Sequence, residues 1–479
     1  SINFDIKMLQ AQGMRFAQPA YDTFDLATLL MPQAPAYRLS TLAATLGIAH
    51  DEAHRAHSDA DVTRQVFLHL LKRIEALDLQ ELSEISRLTA RMSWSVRDLF
   101  GEVERAKAKL VFVESQAPSA EDAEALPIDT TQNPKSKIFI PLKPTGNTDP
   151  IDVADVHQFF APDGALGQTF EGYEQRAQQV EMSEAVARAL NQGDNLMVEA
   201  GTGTGKGLAY LVPSAIFAAQ RGERVVVSTN TINLQDQLFF KDIPDLQRIM
   251  SGSQELGDGG QRRASSQSLT PDSQLPFTAA LLKGRGNYLC LRRYKALRRD
   301  DRLQDEEVRT LLKVQLWLPT TNTGDKAELL LMDRENTAWG RINVTPETCI
   351  GPRCPDFDEC FFFKARKQAE AAHLVVVNHA LMLADLASEA NVLPPYDHLV
   401  IDEAHNLEDV ATDQFGFSVD QTKLLIFLDD LFQSGGANIS GGLVADLPKH
   451  FRESAASQGD MDKATAIAQG VGPAVTRAR

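Results

Sequence analysis

Residues 199–213 read EAGTGTGKGLAYLVP. Glycines at alternate positions let a backbone turn tightly enough for its N–H groups to face a phosphate. The N-terminus of a following helix adds a positive dipole end. Ala200, Gly201, Thr202, Gly203, Thr204 and Gly205 would form that cradle, and Lys206 is placed to reach the β and γ phosphates of a nucleotide. The preceding run LMVEA, 196–200, reads as a short apolar strand feeding the loop. One position departs from the pattern. Such a loop normally follows its lysine with Ser or Thr, whose hydroxyl helps to hold magnesium, and here Gly207 stands in that place.

A glycine-rich loop alone is a weak signal. A second stretch, HLVIDEAH at 398–405, strengthens it. It is an apolar strand ending in two carboxylates. Asp402 is placed to hold magnesium, often through water, and Glu403 to polarise an attacking water, with His405 closing the box. Acidic residues also occur in the first turn of any helix. Loop and box together, in this order, outweigh that simpler reading.

The chain has 479 residues, 43% hydrophobic and 24% charged, with net charge −17. That length predicts two to four domains and that composition an ordinary globular protein. No apolar run reaches the roughly 18 residues that cross a bilayer, and SINFDIKML lacks both a signal-peptide pattern and an initiating Met. The expectation is a cytoplasmic protein with no membrane partner. The acidic total argues weakly against nucleic acid, but binding is local. Leu281–Arg302, LLKGRGNYLCLRRYKALRRDDR, holds eight Lys or Arg against two Asp, with Tyr288 and Tyr294 interleaved. Cations beside stacking rings suit a single strand, and a solvated helix face explains them equally well.

There are four Cys, too few for a disulfide scaffold. Cys290 lies in the basic segment, and Cys349, Cys354 and Cys360 fall within ETCIGPRCPDFDEC. A Gly/Pro-containing loop is a poor place for an inert core thiol. The spacing suits a tetrahedral zinc and a [4Fe–4S] cluster equally.

Along the chain, residues 1 to about 75 read as a small α/β unit, and Leu82, Ile85, Leu99 and Val103 recur at helical spacing after it. A linker-like stretch runs from Glu114 to Gly167, and a second α/β pattern from about Phe170 to Phe415. That pattern is interrupted by a polar low-complexity loop, 251–274, and LLIFLDDLF after it looks helical.

LMVEAGTGTGKGLAYLVP, VVVSTNTINLQDQL, VVVNHALMLAD and HLVIDEAH closely resemble the DinG branch of the XPD-like superfamily 2 DNA helicases, over roughly 166–479. The resemblance implies that Tyr173, Arg176 and Gln179 form an adenine-reading motif and that Thr229, Asn230 and Thr231 face the DNA backbone. STNT also suits a helix N-cap. For the cysteines the resemblance implies a [4Fe–4S] cluster on Cys290, Cys349, Cys354 and Cys360, bracing a small domain at about 286–365 whose Arg292, Arg293 and Lys295 contact the strand. Gly207 departs from the family pattern. Water can replace the lost ligand, so ATP binding is expected to survive and hydrolysis to be weakened.

INFDIKML, YDTFDLATLLMP, YRLSTLAATLGI and HRAHSDADVT resemble the second half of a DnaQ-like 3′–5′ exonuclease. That resemblance makes Asp5 and Asp59 metal-binding carboxylates and His54 the general base. The family's Asp-x-Glu motif would lie upstream of Ser1.

The expected fold is α/β: a P-loop RecA-like helicase domain at 166–415 with an inserted iron–sulfur domain, preceded by the C-terminal half of a ribonuclease H-like exonuclease domain at 1–75. A helical connector at 76–165 joins them, and 416–479 begins a helical arch domain, so the chain reads as truncated at both ends. The expected function is an ATP-dependent DNA helicase, 5′ to 3′ by resemblance, acting on single-stranded and forked DNA in repair or replication with ATP, Mg2+ and [4Fe–4S]. The rivals are an ATP- and single-strand-binding module with decayed catalysis and, more distantly, a zinc-bearing ATPase unrelated to DNA.

Overall fold

The computed structural model describes residues 2–15, 19–50, 55–92, 94–114, 139–170, 172–201, 203–251, 277–300, 302–387 and 392–416. Beyond these it describes 424, 428, 431–434, 440–441, 443–444, 447–448 and 457–478, and the side chains of 3–5, 110–114, 433–434, 440–441 and 472 lie outside the description. Among the described residues no helix is long and apolar enough to cross a membrane. The chain divides into two compact units, 1–407 and 408–479.

The first unit opens with six helices: α1 (Ile2–Ala11), α2 (Thr23–Leu30), α3 (Leu39–Thr45), α4 (Ala56–Ala76), α5 (Leu79–Thr89) and α6 (Ser95–Glu114). The four-residue recurrence Val62, Val66, Leu70, Ile74 gives α4 one buried stripe. α5 starts with a capping box, in which Asp78 accepts from the Glu81 N–H and Glu81 accepts from the Asp78 N–H. Leu82, Ile85 and Leu99 are buried, as their helical spacing predicts. The strand–helix alternation expected before residue 75 is not found, because the described residues there form helices only.

The linker-like stretch is structured in its second half. α7 (Val153–Phe159) and α8 (Ala165–Thr169) lie inside it, and Ile151, Val156, Phe160 and Leu166 join the main core. Pro, Gly and Asp content signalled a linker, but these four apolar residues find α9 (Ala177–Gln192), and their burial outweighs local composition.

The core is a four-stranded parallel sheet. β1 (Val225–Thr229) pairs with β3 (Leu374–Asn378) on one side and β4 (His398–Ile401) on the other, and β2 (Ala279–Leu281) flanks β3. Val225, Val227, Leu374 and Val376 share one face, as a period of two requires. They pack with α10 (Lys206–Arg221), which contributes Leu211, Ala215 and Ala218, and with α12 (Ile243–Met250). α11 (Ile232–Gln237) leads into a π-turn, Leu238–Asp242, before α12.

LMVEA does not form the expected strand. Residues 194–200 carry no ladder, and Met197 is 97% exposed. A strand needs a paired edge and buried faces. β4 pairs on only one side among the described residues, and Leu399 is itself exposed.

Between β2 and β3 a second small core forms around Trp317 of α14 (Asp305–Trp317) and Trp339 of α15 (Asp333–Trp339), with ring centroids 6.4 Å apart. α14 also meets α2 and α5, so the inserted region rests on the N-terminal helices. One buried lysine ties it to the sheet. Lys283 Nζ lies 3.0 Å from Asp236 on α11 and 2.7 Å from Asp325 in the inserted region, with its side chain 2% exposed. Burial opposes its charge, but the two carboxylates outweigh burial and raise its pKa. A raised lysine pKa stabilises fully below the ordinary lysine value and is lost only as pH rises through the raised one. Lys283→Met would leave two carboxylates without their cation. It should cost about 3–5 kcal/mol at neutral pH, read as a lowered urea midpoint.

The second unit contains most of α18 (Leu407–Phe415), a two-residue antiparallel pair, β5 (Gln433–Ser434) with β6 (Ser440–Gly441), and a final helix, α19 (Gln458–Ala478). Leu424, Leu428 and Leu431 are helical, in keeping with the spacing of LLIFLDDLF.

Candidate nucleotide site and cysteine cluster

The loop Gly201–Gly205 closes onto the N-terminus of α10. Gly203 and Gly205 adopt φ of 83° and 81°, which side chains disfavour. At Gly205 a Cβ would also meet Gln179 Nε2 at 2.2 Å. Gln179 donates to the Gly205 carbonyl at 2.9 Å, and Arg176 donates to the Gly203 carbonyl. The two polar members of the upstream motif are thus brought to the loop. Tyr173 instead donates to the Phe160 carbonyl at 2.9 Å. Thr204 donates to the Gly201 carbonyl at 2.9 Å, and Thr202 lies outside the described residues.

The carboxylates arrive from β4. The Asp402 N–H bonds the Ser228 carbonyl at 2.8 Å, fixing the box to the end of β1. Lys206 Nζ then meets Glu403 Oε1 at 2.8 Å. Glu403 has φ 55°, the one non-glycine left-handed residue among those described. The hydrogen bond from Lys206 holds its pKa below the usual carboxylate value. Asp402 is more buried, and burial, with the Glu403 charge, pushes its carboxyl up although Lys206 and Thr229 oppose this. His405 is exposed, with Nδ1 3.5 Å from Glu403.

Thr229 corrects an expectation. It is fully buried and its hydroxyl turns to Asp402 at 3.4 Å, so it does not face a DNA backbone. As the last residue of β1 it points under the box. Asn230 and Thr231 remain at the surface, and Thr231 caps α11 by accepting from the Leu234 N–H. Ser228 Oγ meets His379 Nδ1 at 2.7 Å in a fully buried contact that motif reading missed.

The four thiols are unpaired and partly exposed. Cys290 precedes α13 (Leu291–Leu297), Cys360 precedes α16 (Phe361–Glu370), and Cys349 and Cys354 flank the turn Gly351–Arg353. Burial raises the Cys360 pKa, N–H groups of Phe363 and Phe362 lower it, and Cys290 and Cys349 stand close enough to push it up again. Cys290 and Cys349 are thus neighbours of Cys360, and thiolates are donors that suit soft metals. Among the described residues no group of three or more ligating side chains closes around a single ion.

The cations of α13 are spent largely within the fold. Arg292 donates to the Thr348 carbonyl, Arg293 to Asn343 and Gly340, and Lys295 pairs with Asp356. They staple the cysteine loop onto α13, a role that charge counting could not separate from strand binding. In the N-terminal helices Asp59 pairs with His50 at 2.8 Å. His54 and the side chain of Asp5 lie outside the described residues.

The DEAD_2 family model matches residues 350–424, which include the box. An ATP-dependent DNA helicase YoaA from Haemophilus influenzae is 35% identical over 281 residues, 58% of this chain and 40% of the relative. A 3′-5′ exonuclease DinG from Bacillus subtilis is 29% identical over 398 residues, 82% of this chain and 39% of the relative. An ATP-dependent helicase DinG from Mycobacterium tuberculosis is 40% identical over 258 residues, 50% and 35%. The chain thus spans about two fifths of the length of these relatives. With its phosphate loop and DEAH box joined in one site, the chain is a homologue of the DinG- and YoaA-type helicases.

Proposed function

We propose that this chain is the nucleotide-binding and DNA-engaging part of an ATP-dependent DNA helicase whose N-terminal helices belong to a 3′–5′ exonuclease-like region. The observation that carries this is the Lys206–Glu403 contact at 2.8 Å, which joins two motifs 197 residues apart. The γ-phosphate of ATP would take Lys206 from Glu403. The freed carboxylate then orients the attacking water and accepts its proton, while loop N–H groups and the N-terminus of α10 hold the phosphates. Magnesium, when bound, neutralises phosphate charge beside Asp402.

Asn230, Thr231 and the exposed faces of Arg292 and Lys295 are the phosphate contacts for a single strand or a fork, with Arg293 behind them. Cys290, Cys349, Cys354 and Cys360 would hold a [4Fe–4S] cluster whose part is to brace the inserted region. The name of the Haemophilus influenzae relative supports DNA as substrate, and a cytoplasmic setting and a place in repair or replication belong to the same proposal. The exonuclease reading rests on Asp5, His54 and Asp59 and on the name of the Bacillus subtilis relative.

The full-length protein should hydrolyse ATP faster with single-stranded DNA and separate a forked duplex only with ATP. Tight binding of both ligands without turnover would favour the binding-module reading that Gly207 raises. For the chain itself, single-strand affinity should fall with salt at a log–log slope of about −1.4 to −2, for the two or three cations that neutralise phosphates. A flat anisotropy titration between two salt concentrations would remove the basic segment from the site.

A further inference from the structure

The residue after Lys206 has no side chain, but an oxygen stands beside it. A Cβ built on Gly207 would meet Asp242 Oδ2 at 3.6 Å and Leu238 Cδ2 at 3.9 Å. Both are ordinary contacts, so packing does not demand glycine here. Asp242 closes the π-turn Leu238–Asp242, in which the Ile243 N–H reaches back to the Leu238 carbonyl. Such turns insert one residue into a helix and recur at functional sites. Burial pushes the Asp242 carboxyl up, and neither the Lys241 charge nor a hydrogen bond from Gln237 offsets it.

A second observation points to the same place. Tyr210, one turn beyond Gly207 on α10, is 3% exposed. Its buried hydroxyl makes no hydrogen bond of ordinary geometry. Asp402, Asp242 and Glu403 are its charged neighbours, and the hydroxyl is turned toward the Asp402 carboxylate. The carboxylate of Asp242 beside Gly207 and that of Asp402 near the buried Tyr210 hydroxyl, at the start of a phosphate-binding helix, are hard oxygen donors such as magnesium takes.

We propose that Asp242 supplies the oxygen that the phosphate loop lacks at Gly207, holding the magnesium of the bound nucleotide together with Asp402, through one of the metal's own waters. The inference rests on the nucleotide-site reading above. It replaces a weakened site with a compensated one: the carboxylate comes from the turn between α11 and α12 instead of from the loop.

The test is manganese binding in the presence of the β,γ-imido analogue of ATP, read from the loss of the free-ion EPR signal, with no turnover involved. The unaltered chain should bind one manganese with the analogue. Asp242→Asn should weaken that binding by about 10–100-fold, as loss of an outer-shell ligand does. Gly207→Ser alone should change it little, and Gly207→Ser added to Asp242→Asn should restore it, because the hydroxyl and the carboxylate serve one function. Unchanged binding in Asp242→Asn, or a loss that the serine does not repair, overturns the proposal. If Asp242→Asn does not fold, Gly207→Ser decides alone: a tenfold tightening overturns the proposal and unchanged binding supports it. Failure of the unaltered chain to bind the analogue at all would instead overturn the nucleotide-site reading.

Discussion

Glu403→Gln should lower ATP turnover in the full-length protein by about 10²–10⁴-fold, the usual worth of a positioned general base, while nucleotide affinity holds or rises. The split between the two effects follows from the Lys206–Glu403 contact at 2.8 Å. Lys206 must leave the carboxylate before it can reach a phosphate, so removing that charge removes a competitor for the lysine. Glutamine keeps the shape of glutamate and its Cβ, so the left-handed backbone at φ 55° is strained no further. A loss of turnover therefore reports chemistry and not folding. Lys206→Ala gives the contrasting pattern, with affinity and turnover both falling. Steady-state turnover together with analogue binding separates the two variants. If Glu403→Gln keeps turnover within tenfold of the parent, the box does not orient the water.

If the proposed cluster is bound, Cys354→Ser should strip the inserted region of iron and loosen it as a unit. Binding by thiolates released from three separate stretches is coupled to folding, since an unfolded chain presents no ready site. The cysteine loop has little hydrophobic core of its own. Its described links include the contacts of Arg292 with Thr348 and Lys295 with Asp356, the Phe357–Phe363 ring contact at 4.6 Å, and short turns such as the Cys354 N–H to Gly351 carbonyl bond at 2.9 Å. A part-exposed ion pair such as Lys295–Asp356 contributes about 1 kcal/mol. The protein purified without oxygen should contain about four irons and four sulfides per chain, and the variant almost none. Limited proteolysis should then cut the variant between Cys349 and Cys360 while the parallel sheet stays protected. One zinc per chain with no iron would refute the cluster, and an unchanged iron content in the variant would remove Cys354 from its ligands.

What the sequence by itself determined is the chemistry carried by contiguous residues. GTGTGK and DEAH are local patterns, and Gly203 and Gly205 show why: their backbone angles belong to the loop itself. The helical stripes of α4 and α5 were legible for the same reason, since periodicity and capping act within a turn or two. Tertiary structure decided whatever depends on residues far apart in the chain. LMVEA has the composition of a strand but lies outside the ladder, because pairing requires an edge that its own residues do not provide. Thr229 looked like a surface contact, and its place at the end of β1 beneath Asp402 buries it. The α13 cations looked free until the fold brought Thr348, Asn343 and Asp356 to them. Asp242 sits in no motif at all. Only the π-turn sets its carboxylate beside Gly207, where the distance to an absent Cβ, and not any residue pattern, reveals it.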